Sequence, residues 1–143
     1  MKPKDMLLIS ALVLIVACSQ TERLRMHVDE FNSTDWALVE IDGRAVIDRV
    51  QSTIRFEGND RIVGWGGCNR YFATIRSGFN YFEVGPIGST RRICSPVVME
   101  QEERFFAALQ KARSIRMQGD DLVIDSVGTQ KPLKFGRLKK PDN

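Results

Sequence analysis

The sequence predicts a mainly β domain of the α+β class, with about eight short strands and one α-helix. From Trp36 onward, apolar and polar residues alternate in short runs separated by turn residues, as in half-buried strands. Residues 97–112 break this alternation, because they contain no Gly or Pro and are rich in helix formers. A chain of 143 residues with 43% hydrophobic content is sufficient for a single domain with its own core.

The predicted strands follow one another at short intervals. The first ends at Asp42-Gly43, a dipeptide typical of tight hairpin turns. A second hairpin is expected to turn at residues 76–78. The strands are predicted at residues 36–41, 52–57, 61–65, 71–75, 79–84, 114–117, 122–124 and 133–135. This spacing is typical of a β-sandwich or a barrel-like sheet.

The single predicted helix follows Ser95-Pro96. Ser95 is expected to be the N-cap, and Pro96 suits the first helical turn. Glutamates near the start, with Lys111 and Arg113 at the end, would complement the helix dipole. An apolar stripe at helical spacing is expected to pack against the sheet. Its members are Val98, Phe105, Phe106, Leu109 and Ala112.

The N-terminal segment predicts export and lipid anchoring. Lys2 and Lys4 precede an apolar run over residues 6–17, which is shorter than the ~20 residues that cross a bilayer. Such a run is typical of a signal peptide. The segment that ends it, Ile15-Val16-Ala17-Cys18, resembles the lipobox of bacterial lipoproteins, in which the Cys is acylated after cleavage. An ordinary signal peptide with an unrelated Cys is the alternative.

The sequence is interpreted as four consecutive segments, with cleavage expected before Cys18. Residues 1–17 form the signal peptide, 18–33 the acylated Cys and a polar tether, 34–138 the domain, and 139–143 a basic and polar tail. Acylation would attach the protein to the membrane through Cys18. Ser19 stands where Asp favours inner-membrane retention in such lipoproteins. We therefore expect a place in the bacterial envelope, at the periplasmic face of the outer membrane.

Three ordered clusters carry a further resemblance. They are residues 36–38 (Trp-Ala-Leu), residues 67–71 (Gly-Cys-Asn-Arg-Tyr), and residues 89–94 followed by 99–102. In this order they resemble the META domain of HslJ-like bacterial envelope proteins, over roughly residues 34–137. The resemblance implies a curled, incomplete antiparallel β-barrel with one helix, and a role in envelope integrity or stress response. Ala73 and Ile75 stand near positions where the family usually has a Gly and an aromatic residue.

The motif residues all have structural interpretations. Gly67 lies in a glycine-rich bend, and Asn69 is expected to shape a turn more readily than to act in catalysis. Trp36 is expected in the core, and Thr90 to bind backbone groups near the start of the helix. The remaining motif residues are Leu38, Cys68, Tyr71 and Cys94.

With Cys18 assigned to the anchor, Cys68 and Cys94 remain as an even pair. In an oxidising compartment such a pair predicts a disulfide. Two buried free thiols or a reactive thiol pair are the alternatives.

The sequence favours a non-enzymatic protein. It shows no Ser-His-Asp set, phosphate loop or metal-ligand cluster, so no cofactor or metal is expected. Short basic runs, such as Arg91-Arg92, do not predict nucleic-acid binding. Function is expected through binding or structural support, with an unknown envelope protein or hydrophobic ligand as partner.

Two alternative functions remain. One is a module for a small hydrophobic ligand or lipid, which would use aromatic side chains on the sheet, namely Phe72, Phe79, Tyr81 and Phe82. The other is an inhibitor of an enzyme that attacks the envelope, such as lysozyme. The net positive charge of the chain opposes binding to the basic lysozymes.

Overall fold

A computed structural model describes residues 31–32, 34–78 and 80–138. This part of the chain contains ten strands and one helix. The strands are β1 (Asp35–Ile41), β2 (Arg44–Ala45), β3 (Thr53–Glu57), β4 (Arg61–Trp65), β5 (Arg70–Gly78), β6 (Tyr81–Val84), β7 (Gly88–Ser89), β8 (Ala112–Gln118), β9 (Asp121–Ser126) and β10 (Leu133–Arg137). The helix, α1, is Pro96–Leu109 and lies between β7 and β8.

The strands form one curled antiparallel sheet. Eight of them follow the order β6-β5-β4-β3-β1-β10-β9-β8, while β2 pairs with β1 and β7 with β5. The terminal strands β6 and β8 lie side by side, yet no ladder joins them in the described part of the chain. The molecule is therefore a nearly closed barrel with an unsealed seam, as the family resemblance implied.

Large apolar side chains fill the inside of the curled sheet. Trp36, Phe105 and Phe135 are fully buried, and α1 contributes Phe105 and Leu109 to the same core. The Phe105 ring meets the rings of Tyr71 and Phe135 edge-on, with centroids 5.7 and 6.0 Å apart. Burying each such side chain contributes roughly 1.5–3 kcal/mol to folding, so the helix is an integral part of the core.

The hairpin prediction at Asp42-Gly43 is confirmed. Both residues have positive φ, 51° and 74°, which matches the twist of the flanking strands β1 and β2. The second turn was placed too early, because β5 continues to Gly78 and pairs there with Tyr81. Phe79 lies outside the described residues. The strands β2 and β7 escaped prediction because two residues are too few to show an alternation.

The helix is where the sequence predicted it, but its ends differ. Ser95 occupies the N-cap position, and its carbonyl oxygen accepts the N–H groups of Val98 and Met99 at 3.0 and 3.1 Å. Its side chain makes no capping hydrogen bond. The helix ends before Lys111, and Ala112 already belongs to β8. The expected match of charges to the helix dipole was therefore wrong: no acidic residue lies in the first turn and no basic residue in the last.

The packed domain includes two residues that the sequence assigned to the tether. Phe31 is buried against Phe56, with ring centroids 5.7 Å apart. Asn32 forms an isolated β-bridge with Phe56. The signal peptide, Cys18, most of the tether and the tail at 139–143 lie outside the described residues. In the part of the chain that the structure describes, no helix is long and apolar enough to cross a membrane.

Candidate functional site

The loop between β4 and β5 folds tightly at its glycines. The N–H of Gly66 donates to the carbonyl oxygen of Asn69 at 2.7 Å and closes the loop. Gly67 has a φ of 130°, a conformation that side chains rarely permit. A Cβ atom on Gly66 would lie 2.6 Å from the carboxylate of Glu102. Glycine is thus required for the loop to approach α1 this closely.

A buried carboxylate from α1 fixes this loop. Glu102 is only 5% exposed, and its Oε2 accepts the backbone N–H groups of Cys68 and Asn69 at 2.9 and 2.7 Å. Its Oε1 accepts the side-chain amide of Asn69 at 2.7 Å. Three donors offset the cost of removing the carboxylate from water. Both of its oxygens are therefore committed inside the protein.

Asn69 connects the loop to the segment that precedes the helix. Its Oδ1 accepts the hydroxyl of Thr90 at 2.9 Å and the backbone N–H of Arg92 at 2.7 Å. Asn69 was expected to shape a turn; its side chain also connects this loop to residues that lie more than twenty positions later in the sequence. Thr90 binds a side-chain oxygen, whereas backbone groups near the helix were expected to be its partners.

The predicted disulfide closes the same region. Cys68 and Cys94 are bonded; their Cα atoms lie 6.0 Å apart, and the two residues are 26 positions apart in the sequence. It joins the glycine-rich loop to the residue before the N-cap of α1. We call the set of Cys68, Asn69, Thr90, Cys94 and Glu102 the motif brace.

A second buried chain of hydrogen bonds extends from the motif brace toward β3. The hydroxyl of Ser52 donates to the carbonyl oxygen of Gly66 at 2.7 Å, and the side-chain amide of Gln101 donates to Ser52 at 3.5 Å. The amide oxygen of Gln101 accepts the N–H of Ile47 at 2.7 Å. These polar groups pin α1 to the loops at one end of the barrel.

The remaining motif residues lie inside the barrel. Trp36 is buried in β1, as expected, and so is Leu38. The Tyr71 hydroxyl donates to the carbonyl oxygen of Thr53 at 2.9 Å, and burial raises the pKa of this phenol far above its usual value. The Arg137 guanidinium lies over the Trp36 ring, 4.9 Å from its centroid. The three buried motif residues, Trp36, Leu38 and Tyr71, thus stabilise the sheet from its inner face.

The opposite, solvent-facing side of β3, β4 and β5 has a different character. It is a shallow groove of about 690 Å³, lined by arginines, two exposed aromatic rings, Asp35 and Leu138. Arg70 lies over the ring of Trp65 at 5.1 Å, and Arg61 over the ring of Phe72 at 5.5 Å. We call this surface the outer groove.

The charges of the outer groove are unevenly paired. Arg55 lies 3.7 Å from Asp35 and 3.9 Å from Glu57, and Arg61 lies 3.8 Å from Glu57. These contacts are exposed and stabilise little. Among the described residues, Arg70 has no carboxylate within ion-pair distance. The groove therefore carries a net positive charge that is available to a ligand.

The aromatic residues considered for a hydrophobic ligand do not share one surface. Phe72 lies in the outer groove, and Tyr81 is exposed near the seam. Phe82 is a core residue with 1% exposure, and Phe79 lies outside the described residues. Within the described chain, no group of His, Cys, Asp and Glu is placed to hold a metal ion.

The model of the META-domain family matches residues 29–140. The chain belongs to the META-domain family. Two solved structures share its fold. An NMR structure of a protein from Burkholderia xenovorans is 20% identical, covers 78% of this chain and 86% of its own, and has a TM-score of 0.59. A second NMR structure is 18% identical over 76% and 92% of the two chains, with a TM-score of 0.61. No curated protein matches the chain.

The motif residues of this META domain thus divide between the core and the motif brace. The residue that unites the brace, Glu102, was not identified as a site residue from the sequence. Its signal was present: Glu102 lies at helical spacing between Val98 and Phe105, in the middle of the apolar stripe. A carboxylate on the buried face of a helix requires internal partners.

Proposed function

We propose that this META-domain protein is a lipid-anchored, non-enzymatic component of the bacterial envelope, which supports envelope integrity or the stress response through binding. The observation that carries the proposal is where the hydrogen bonds of the motif go. The polar motif residues bind one another inside the protein, in the motif brace. The accessible charged and aromatic groups lie elsewhere, in the outer groove.

The engagement of Asn69 and Glu102 supports a non-catalytic role. A general base needs a lone pair within reach of a substrate proton. Both carboxylate oxygens of Glu102 already accept internal donors, and Asn69 uses its amide group on both sides. A substrate would have to displace several buried hydrogen bonds to reach either residue. The motif is better suited to keeping the domain folded.

The disulfide supports the envelope location. Bonds such as Cys68–Cys94 persist in oxidising compartments and are rare in the cytosol. This agrees with the lipobox-like segment that ends at Cys18. Two or more acyl chains on one residue anchor a protein stably, whereas one chain binds a membrane only marginally.

The packing of the barrel favours binding on its surface over binding in its interior. Barrels that enclose a ligand leave their interior empty, whereas this interior holds Trp36, Phe82, Phe105 and Phe135. A small hydrophobic ligand would have to expel part of this core. The outer groove offers accessible groups without that cost.

The anchor is tested by expressing the full chain, with its own leader, in bacteria. We expect the wild type to remain with the membrane fraction after washing with salt. Its intact mass should show cleavage before Cys18, acylation and the loss of two hydrogens. Cys18→Ser should lose the acyl mass and leave the outer-membrane fraction. The Cys68→Ser/Cys94→Ser double variant is the matched control and should stay acylated. Absence of acyl mass from the wild type would refute the anchor.

A further inference from the structure

We infer that the outer groove is a membrane-contact surface, which lays the domain against the headgroups of anionic phospholipids. The inference deepens the proposed function and rests on the lipid anchor at Cys18. It assigns a role to the exposed arginines and aromatic rings of β4 and β5, which the motif brace does not use.

The apolar part of the groove suits the interface of a bilayer. Trp65 and Phe72 are 37% and 53% exposed, although both are large enough to favour burial. Each ring carries a guanidinium above it, Arg70 and Arg61 respectively. At a membrane surface, aromatic rings lie at the level of the headgroups, and arginines extend their charge toward phosphate. Each pair of ring and guanidinium therefore presents an aromatic surface and a positive charge to the same side of the sheet.

The charge of the groove complements an anionic surface. Arg55 and Arg61 share the carboxylates of Asp35 and Glu57, which leaves Arg70 as the unpaired cation among the described groove residues. Ser89, which also bears a hydroxyl, lines the groove beside it. A guanidinium binds phosphate oxygens through two parallel hydrogen bonds. Arg70 is therefore the residue that we assign to a lipid phosphate.

The path of the chain brings this surface to the membrane. Asp35, where the chain enters β1, and Leu138, which follows β10, both line the groove, and the N–H of Leu138 donates to the carbonyl oxygen of Asp35 at 2.8 Å. Because Phe31 is packed against Phe56 of β3, the tether runs from Cys18 to Phe31 and, fully extended, spans at most about 45 Å. Such a tether gives the groove a local concentration on the order of millimolar at the bilayer, so weak contact suffices.

The two tryptophans of the chain provide a selective reporter. Trp36 is fully buried, whereas Trp65 lies in the groove, so a neutral aqueous quencher such as acrylamide reports on Trp65. The acylated protein is extracted from its membranes and reconstituted into vesicles of phosphatidylcholine, with or without phosphatidylglycerol. We expect Trp65 to be quenched in the neutral vesicles and protected in the anionic ones. Salt should reverse the protection, because it screens the headgroup charge.

Matched variants connect the protection to the groove. Arg70→Gln should lower the docking equilibrium about fivefold, the effect of one cationic side chain at an anionic surface. Arg113→Gln removes one exposed charge from β8, away from the groove, and should leave protection unchanged. Trp65→Phe should abolish the quenchable signal and so confirm its origin.

Three results would overturn the inference. Equal quenching in both kinds of vesicle would exclude docking, while leaving the anchor intact. Protection by soluble glycerol phosphate in neutral vesicles would reveal a site for free anions in place of a membrane surface. A protein that does not float with either kind of vesicle would overturn the anchor as well, and with it the proposed function.

Discussion

Glu102 shows how one buried charge can hold several segments of a chain together. It accepts donors from Cys68 and Asn69, and through Asn69 it also reaches Thr90 and Arg92. Removing one member of a buried polar network costs more than the bond itself, since its partners lose their hydrogen bonds without regaining water. The motif brace is accordingly expected to act as a unit.

Glu102→Gln should lower the free energy of unfolding by about 1–3 kcal/mol. The new amide can still accept the two backbone N–H groups, but its NH₂ group then faces the NH₂ group of Asn69. Urea denaturation measures the effect. Glu103→Gln, on the exposed neighbour, is the control and should change stability by less than about 0.5 kcal/mol. Equal effects of the two variants would contradict the network.

Tyr71 makes stability depend on pH in the alkaline range. Burial raises the pKa of its phenol in the folded protein, so only the unfolded chain ionises near the ordinary tyrosine value of about 10. The unfolded state then binds fewer protons than the folded state, and the free energy of unfolding falls as the pH rises above that value.

Tyr71→Phe should cost about 1 kcal/mol at neutral pH, for the lost hydrogen bond to Thr53. It should also flatten the alkaline decrease in stability. Urea denaturation across the alkaline range compares the two proteins. Identical slopes for both would show that Tyr71 does not cause the decrease.

At the scale of elements, β3 and β4 approach each other closely at a glycine. An added Cβ on Gly64 would lie 2.1 Å from the carbonyl oxygen of Thr53 and 3.0 Å from the ring of Tyr71. Gly136 also lies in a strand, β10, but a Cβ there would have no neighbour within 4 Å. The two positions form a natural comparison.

Gly64→Ala should destabilise the protein by about 3 kcal/mol or more, because the strands must separate. Gly136→Ala should be neutral or stabilise by about 0.5 kcal/mol, since alanine loses less backbone entropy on folding. Thermal unfolding of the two variants and of the wild type measures these changes in stability. A tolerated Gly64→Ala would mean that β3 and β4 are not packed as described.

The disulfide joins the β4–β5 loop to the start of α1. Closing a loop of 26 residues should stabilise the fold by roughly 3.5 kcal/mol on the chain-entropy model. We expect reductant, or the Cys68→Ser/Cys94→Ser double variant, to lower the melting temperature by several degrees. Reductant should have no further effect on the double variant. Equal melting of the wild type with and without reductant would refute this contribution.

For the whole molecule, local patterns were sufficient for the fold class but not for the topology. Alternation predicted most strands, and the helix, because each reports burial on one face. It could not indicate that β1 lies between β3 and β10, because the pairing of strands that are far apart in sequence produces no pattern within either strand. Ser95 was likewise placed correctly at the N-cap by its sequence position, although its exposed hydroxyl makes no capping hydrogen bond.

The candidate site was only partly predictable. The disulfide prediction rested on an even pair of cysteines and on an expected, oxidising compartment, and the family resemblance identified the motif. The role of Glu102 depends on the contact between α1 and a loop that lies more than thirty residues earlier in the sequence. The outer groove combines side chains from three strands, and its character becomes visible only when their registers are known.

Hydrogen exchange measured by NMR tests the central claim, that the motif builds an internal brace. The backbone amides of Cys68 and Asn69 donate to buried Glu102, so they should exchange only when the whole protein unfolds. Their exchange free energies should equal the free energy of unfolding from denaturant, whereas the amide of exposed Ile93 should exchange rapidly. Rapid exchange at Cys68 and Asn69, with β1 still protected, would contradict the brace and reopen this loop as an accessible site.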